Sequence, residues 1–542
     1  MTTAAAVVPA VEARDNKMPP GIPFIISNEF AERFCFYGIN SILTVYLVST
    51  LHFTDAKAAS WQSLFKSGAY LFPMMGAVIS DVFWGKFRTI MVFSGFYAFG
   101  CVMLALFGNT ELLLGASLFF VALGTGGIKP CVSTNVGDQF TAKNSHLIER
   151  AFSLFYLAIN AGSSISIWFC PVLLADPAWG PRWAFGMPAI MMIMATLVFI
   201  AGRARYAHVP PAGKAWLEEV KSANGIKLIV SLIGIYFFVA CFWMLWDQAN
   251  GNTWTIQAQS SLMDKNLGFG FTVLPAQLQV VNGLFILAMA PVFSFFIYPF
   301  LGKFTKITPL RKIGFGLFTV ASSFIIVAWI EKRIQSGETV SAWWQILAYL
   351  VLTAAEVLVS ITALEFSYKQ APLRMKSFIM GLFLLSTSLG NFMIAAVNKA
   401  MVKQVHATAM QTGDETWVTL NEASQFVTGQ KIDFSGETGV MLPPNADGKP
   451  HPLEGTFLVA EVDTAGSRLK LMDAVWRKPL VTIGAFNPKA DVSTYYLVGP
   501  DYFYFFIAVM CVLGLVFVFY AMAYKEQDFV RTEESPPAAA AS

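Results

Sequence analysis

Long apolar runs dominate the chain and alternate with short polar segments. A run of about 20 apolar residues is long enough to cross a bilayer as a helix. We count about twelve such runs by this rule. They begin near Phe24, Trp61, Thr89, Leu112, Phe152, Trp183, Leu228, Ala276, Ile313, Trp344, Phe378 and Phe503. The pattern predicts an all-α membrane protein with about twelve transmembrane helices.

Composition and charge agree with this prediction and add an orientation. Hydrophobic residues make up 56% of the chain, charged residues 13%, and the mean hydropathy is +0.57. Basic residues concentrate in alternate loops, which the positive-inside rule assigns to the cytoplasm. Examples are Lys86, Arg88, Lys143, Arg150, Arg203, Arg205, Lys303 and Arg311. We therefore expect both termini in the cytoplasm, and we attribute the net charge of +3 to topology rather than to a nucleic-acid partner.

A short motif recurs and indicates two similar halves. Gly85-Lys86-Phe87 follows the second span and Gly302-Lys303-Phe304 follows the eighth, as a duplicated six-helix half would produce. Paired halves with a site between them are a transporter architecture. The predicted parts are a cytoplasmic tail (1–21), an N-terminal six-helix bundle (22–203), a cytoplasmic linker (204–226), the first five helices of a C-terminal bundle (227–401), a last transmembrane helix (498–525) and a second cytoplasmic tail (526–542).

Residues 402–497 interrupt the helical pattern before the last span. Short runs with strand-like composition, such as 416–420, 456–462 and 469–472, alternate with Gly, Pro, Asn and Asp turns. They predict a small β-rich extracytoplasmic insertion. Because surface loops accept insertions freely, we favour a stabilising cap or a tolerated insertion. A docking module of a non-transporting receptor is the alternative.

Three charges share one face of the first span. Glu29, Glu32 and Arg33 stand at i, i+3 and i+4, which are neighbours on a helix. A charge at the bilayer centre costs roughly 2.5–3.5 kcal/mol on insertion scales, so such residues face a protein interior or water. The stripe predicts a proton- or ion-coupled site. A neutralised structural ion pair is the alternative.

Other polar residues interrupt later spans. Lys129 and Glu356 carry opposite charges within apolar helices of different halves, and we predict that they form a gating pair, closed when bridged. Asp247 lies near the end of the seventh span. Lys66 either reaches outward or neutralises a carboxylate such as Asp247, and the sequence does not decide between these.

The sequence gives no support for enzyme chemistry. All five histidines lie in predicted loops, so a proton relay has to use carboxylates. The chain contains no Walker A turn, no His-Glu-x-x-His and no Gly-x-Ser-x-Gly. The six cysteines lie in or beside spans, which implies no disulfide framework. We predict no cofactor and no metal.

Several motifs resemble one family. Residues 29–38 (EFAERFCFYG, read as Glu-x-x-Glu-Arg-Phe-x-Phe-Tyr-Gly) resemble the ExxERFxYYG signature of the proton-dependent oligopeptide transporters (POT/PTR2), a branch of the major facilitator superfamily. Residues 76–88 resemble the cytoplasmic loop motif of that superfamily, and 152–163 resemble a second family signature. The resemblance implies two six-helix bundles and proton-coupled import of di- and tripeptides. We expect a monomer in the cell membrane, in a bacterial inner membrane.

The resemblance also implies roles for individual residues. Proton coupling would involve Glu29, Glu32 and Arg33, and we predict that Asp247 also takes part in it. The peptide would be bound by Arg33, Tyr37, Tyr70, Lys129, Asn160, Trp243, Asn282, Glu356 and Ser360, with Lys129 near the peptide carboxylate and Glu356 near its ammonium. Phe36 and Ser63 depart from the family pattern, which has tyrosine and often histidine there. Another small solute, such as nitrate or a peptide-like metabolite, is the alternative substrate.

Overall fold

The structure is a computed structural model. It describes residues 17–141, 143–211, 213, 218, 220–268, 270–370, 376–444 and 450–524. The predicted tail 526–542, most of the tail 1–21 and part of the linker 204–226 therefore lie outside the described residues.

Twelve long helices account for the apolar runs, and the predicted all-α fold is confirmed. In chain order they are α1 Ile22–Ser49, α2 Asp55–Val78, α3 Lys86–Phe107, α4 Glu111–Asp138, α5 Ile148–Ala175, α6 Gly180–Ala201, α7 Ala223–Ala249, α8 Val280–Val292, α9 Pro309–Gln335, α10 Trp343–Glu356, α11 Lys376–Ala400 and α12 Pro500–Ala523. Within the described residues, 10 helical segments are long and apolar enough to cross a membrane. The other two, α1 and α2, are less apolar because they carry charged side chains such as Glu32 and Lys66, which are buried inside the protein.

Shorter helical pieces extend or join these helices. π-Helical turns at Ile79–Trp84, Phe293–Ile297 and Val357–Ile361 continue α2, α8 and α10, and the last two turns lead into Tyr298–Leu301 and Thr362–Gln370. A short helix, Thr253–Gln259, follows α7. Such π-turns often occur at functional positions in a helix.

Each half has its own apolar core. In the N-terminal half α1 packs on α5 and α6, and α3 packs on α4; in the C-terminal half α9 packs on α10 and α12. Glycines allow the close approach of α3 and α4: a Cβ at Gly124 would lie 2.4 Å from Tyr97, and one at Gly127 would lie 2.0 Å from the Phe93 ring. Small residues bring transmembrane helices together in this way. The two halves meet mainly through α2 and α11.

The predicted insertion is β-rich. Two short strands, β1 Met263–Asp264 and β2 Val340–Ser341, lie outside it and pair in parallel. Within it are β3 Val402–Val405, β4 Ala407–Gln411, β5 Trp417–Leu420, β6 Lys431–Ser435, β7 Val440–Leu442, β8 His451–Pro452, β9 Gly455–Asp463, β10 Arg468–Asp473, β11 Ile483–Gly484 and β12 Asp491–Tyr495. Their sheets run in the orders β3-β12-β6-β9-β10-β5-β4 and β11-β7-β8. Residues such as Val418, Phe434 and Leu471 form a third apolar core.

The insertion contacts the ends of helices on one side of the protein. We call this side the outer side: there α1 ends at Ser49, α2 begins at Asp55, and α11 leads into the insertion. The opposite side is called the inner side.

Candidate functional site between the two halves

The charge stripe on α1 forms one compact cluster. Arg33 Nε lies 2.6 Å from Glu29 Oε1 and 3.0 Å from Glu32 Oε2, so all three charges meet as their helical spacing predicts. Thr125 of α4 donates a hydrogen bond to Glu32 Oε1 at 2.8 Å. Both carboxylates are almost fully buried, at 2% and 0% relative exposure. One guanidinium serves two carboxylates, which leaves the cluster one formal negative charge when both are ionised.

Lys129 lies one helical turn after Thr125 on α4. Its Nζ lies 3.8 Å from the centroid of the Tyr70 ring and 4.3 Å from that of Phe36. Among the described residues no side chain or carbonyl forms a hydrogen bond with this ammonium. Cation–π contacts of this kind stabilise a charge without satisfying its N–H donors. The ammonium therefore keeps its full capacity to bind an anion.

Glu356 is held by two donors of its own half. Asn282 Nδ2 of α8 donates to Glu356 Oε2 at 2.8 Å, and Trp246 Nε1 of α7 donates to the same oxygen at 3.0 Å. Asn282 also donates to Thr353, one turn earlier on α10. The π-turn Val357–Ile361 begins directly after Glu356 and contains Ser360, a half-buried residue.

The predicted bridge between Lys129 and Glu356 is not formed in this conformation. The ammonium contacts two aromatic rings and the carboxylate accepts from Trp246 and Asn282, and neither contacts the other among the described ion pairs. The pair is therefore unbridged in this structure, and its gating role stays a prediction.

Two of the remaining predicted peptide-binding residues, Tyr37 and Trp243, pack against the side chains that surround Lys129 and Glu356. Tyr37 packs edge-on against Phe36, and Trp243 packs against Trp246 with ring centroids 5.1 Å apart. The Asn160 side chain donates to the Tyr156 carbonyl of its own helix at 2.8 Å. Most of the predicted peptide-binding residues are half-buried, although they lie within long helices. The exceptions are Trp243 and Arg33, which are buried. Both halves thus present polar, partly accessible side chains.

A buried ion pair joins the halves on the outer side. Lys66 Nζ of α2 lies 2.9 Å from Asp247 Oδ1 of α7, and each side chain is 2% exposed. Asn391 of α11 donates to Asp247 Oδ2 at 2.6 Å, and Lys66 also donates to the Asn250 carbonyl. The question that the sequence left open is therefore decided: Lys66 neutralises Asp247.

The turn after α7 adds further contacts between the halves. Thr44 donates to the Gly251 carbonyl at 2.5 Å, and Asn252 Nδ2 donates to Ser63 Oγ at 2.8 Å. Gly251 has φ +78°, a conformation that favours glycine. In the middle of α2 and α11, Ser388 donates to the Ser67 carbonyl at 2.8 Å. The halves are therefore closed against each other at their outer ends.

Sequence reasoning missed several of these partners. Thr125 had a usable signal, because it precedes Lys129 by one turn in an apolar helix. Trp246 and Asn391 had none, since their roles depend on how neighbouring helices are rotated.

Comparison with known proteins identifies the family. The profile of the POT family (PTR2) matches residues 87–224 and 214–418, which together cover more than half of the chain. The chain belongs to the POT family. As a member of this family it is a multi-pass membrane protein.

Similar curated proteins occur in animals. Peptide transporter family 1 of Drosophila melanogaster is 36% identical over 377 residues, 60% of this chain and 50% of that protein. Solute carrier family 15 member 2 of Homo sapiens is 34% identical over 393 residues, 64% of this chain and 53% of that protein. The chain thus spans about half the length of these relatives.

Solved POT structures share the fold. The crystal structure of the transporter PepTSo matches with a TM-score of 0.65 and 32% identity, covering 71% of this chain and 90% of that one. An auto-inhibited POT family peptide transporter matches with a TM-score of 0.70 and 26% identity, covering 96% of this chain and 99% of that one. The second match covers 96% of this chain, and the unmatched remainder is much shorter than the insertion at residues 402–497. The match therefore extends over most of the insertion.

Proposed function

We propose that this POT protein is a proton-coupled symporter that imports di- and tripeptides by alternating access. The observation that carries the proposal is a pair of opposite charges in facing halves that are not bonded to each other. Lys129 lacks a hydrogen-bond acceptor among the described residues, and Glu356 is oriented by Trp246 and Asn282. A short peptide is a zwitterion whose ends carry the complementary charges.

The proposed binding mode follows from this chemistry. The peptide carboxylate binds Lys129 and Arg33 in the N-terminal half, and its ammonium binds Glu356 in the C-terminal half. Asn160 and Asn282 bind the peptide backbone, and Tyr37, Tyr70, Trp243 and Ser360 contact the remainder. A bound peptide thereby links the halves, as a Lys129–Glu356 bridge would do in its absence.

Proton coupling is assigned to two clusters. When a peptide carboxylate draws Arg33 towards itself, Glu29 and Glu32 lose part of their compensating charge, and one of them takes up a proton. On the outer side, protonation of Asp247 removes the charge that holds Lys66 and favours opening of the halves. Substrate and proton binding therefore support each other.

The proposed setting is a bacterial inner membrane, with the protein as a monomer and both termini in the cytoplasm. The concentration of basic residues in the inner-side loops supports this orientation. In this orientation residues 402–497 lie on the extracytoplasmic side of the membrane.

Counterflow in proteoliposomes tests the substrate class. Vesicles loaded with unlabelled dialanine should take up labelled dialanine, and free dipeptides should compete. N-acetylated dipeptides should compete poorly, because acetylation removes the ammonium assigned to Glu356. Competition by nitrate but not by dipeptides would refute the proposal and favour the small-anion alternative.

A further inference from the structure

The first turn of α2 is completed by the insertion. The first N–H groups of any helix have no acceptor within the helix. Thr54, the residue before α2, accepts from Lys57 N at 3.3 Å. The two earlier groups are bound from outside: Asp55 N donates to Thr456 Oγ1 at 2.9 Å, and Ala56 N donates to Tyr495 Oη at 3.3 Å. The insertion thus supplies two acceptors for this helix end.

One buried carboxylate orients both hydroxyls. Thr456 donates to Asp433 Oδ1 at 2.7 Å, and Tyr495 donates to Asp433 Oδ2 at 2.5 Å. These three residues lie on the adjacent strands β9, β6 and β12. Because each hydroxyl donates its proton to Asp433, its lone pairs are available to the N–H groups of α2. Asp433 is 2% exposed, and within the described part of the chain its hydrogen bonds connect it to α2 through these two hydroxyls.

A charge pair strengthens the same contact. Lys431 precedes Asp433 by two residues on β6, so both side chains lie on one face of the strand. Lys431 Nζ lies 2.6 Å from Asp55 Oδ2. We call Lys431, Asp433, Thr456 and Tyr495 the α2 clasp.

The insertion is fixed to the other half. Its strands continue from α11 and lead into α12. Arg477 donates to the Ile334 carbonyl at the end of α9 at 2.5 Å, and the Val475 carbonyl accepts from Ser261 N at 2.8 Å. The insertion therefore moves with the C-terminal half, whereas α2 belongs to the N-terminal half.

The contact is built so that it is able to separate. A cavity of about 530 Å³ lies where the insertion meets both halves, and its lining includes His52, Asp55, Glu331, Lys431 and Arg477. Because these five groups are polar, opening the contact hydrates them, although apolar residues such as Leu442 and Phe457 line the same cavity.

We propose that the α2 clasp is a set of positioning residues that stabilises the outside-closed state and releases α2 when the outer side opens. This inference rests on the alternating access proposed above. α2 also carries Lys66, which pairs with Asp247 across the halves. The clasp and this ion pair are thus two separate links between the same helix and the C-terminal half.

Distance measurements on spin-labelled protein in proteoliposomes test the clasp. Labels are attached at A178C, in the exposed outer loop after α5, and at T339C, in the exposed outer loop after α9. Cys511 is replaced by Ala, because the other native cysteines are buried. The test variants are Y495F and T456V, which remove one hydroxyl each.

The matched controls are Y496F and T408V. Tyr496 is the exposed neighbour of Tyr495, and the exposed Thr408 donates to the Thr419 carbonyl within the insertion. Losing one helix-capping bond should raise the ratio of the outside-open to the outside-closed distance population about fivefold. The controls should match the parent.

If Y495F and T456V both gave the same ratio of open to closed populations as the controls, the proposed role of the α2 clasp would be refuted. A melting temperature within the range of the controls establishes that the insertion remains folded, and two variants on different strands guard against misfolding of one. The distances are recorded without peptide, so this test does not depend on the substrate. Failure of the proposed function would instead appear as absent dipeptide counterflow in the unmodified protein.

Discussion

The outer ion pair gives the most quantitative prediction. Replacing Lys66 by Met keeps the length of the side chain and removes its charge, which leaves the buried Asp247 carboxylate without its ammonium partner. Breaking one side of a buried pair costs about 3–5 kcal/mol. Asp247 keeps its hydrogen bond from Asn391 at 2.6 Å, so we expect the lower end of that range.

This cost falls on one conformation. In this structure, which is closed at the outer side, Asp247 is 2% exposed. We expect opening of the outer side to hydrate its carboxylate. A cost of about 3 kcal/mol to the closed state raises the open-to-closed ratio roughly 100-fold. Transport should slow as the closed population falls, because each proposed cycle has to pass through the closed state.

The assay is a double-mutant cycle on the spin-labelled protein. Lys66→Met should shift the Ala178–Thr339 distance towards the open population, and Asp247→Leu should do the same by leaving Lys66 unpaired. Lys66→Met combined with Asp247→Leu should recover most of the closed population, because no charge remains buried. Distances in the single variants that match the parent, or a double variant as open as the singles, would refute the reasoning.

Three further predictions concern the charged sites. Glu32→Gln should abolish gradient-driven uptake and spare counterflow, since only the driven mode needs a titrating carboxylate; accumulation at the parent level would contradict this. Lys129→Ala and Glu356→Ala should each lower dipeptide counterflow at least tenfold, in line with the loss of one charge-assisted contact of about 1.5–3 kcal/mol, and unchanged competition constants would contradict it. Burial raises the pKa of Asp433 from its ordinary value of 3.8 to about 7. Folding therefore favours its protonated form, and stability should fall as pH rises from 6 to 8, by about 1 kcal/mol more in the parent than in Asp433→Asn; parallel melting curves would contradict it.

Features set by one helix were predictable from the sequence. The spans follow from the length of the apolar runs, and the contact of Arg33 with Glu29 and Glu32 follows from helical spacing. Both are local, because the helical repeat fixes which residues share a face. The β-rich character of the insertion was predictable from composition and turn residues for the same reason.

Features that join distant segments were not predictable. The pairing of Lys66 with Asp247 depends on how α2 and α7 are rotated towards each other, and the sequence allowed a second orientation. The α2 clasp joins Asp55 to residues about 400 positions later, through the register of three strands. A bridge between Lys129 and Glu356 requires a particular relative position of the two halves, which no sequence pattern specifies.

The central claim is that a proton gradient drives peptide uptake through this protein. The most direct measurement is accumulation of labelled dialanine in proteoliposomes with an acidic exterior and an alkaline interior. We predict uptake above the external concentration that collapses when a protonophore is added. Equal uptake with and without the gradient would contradict the account.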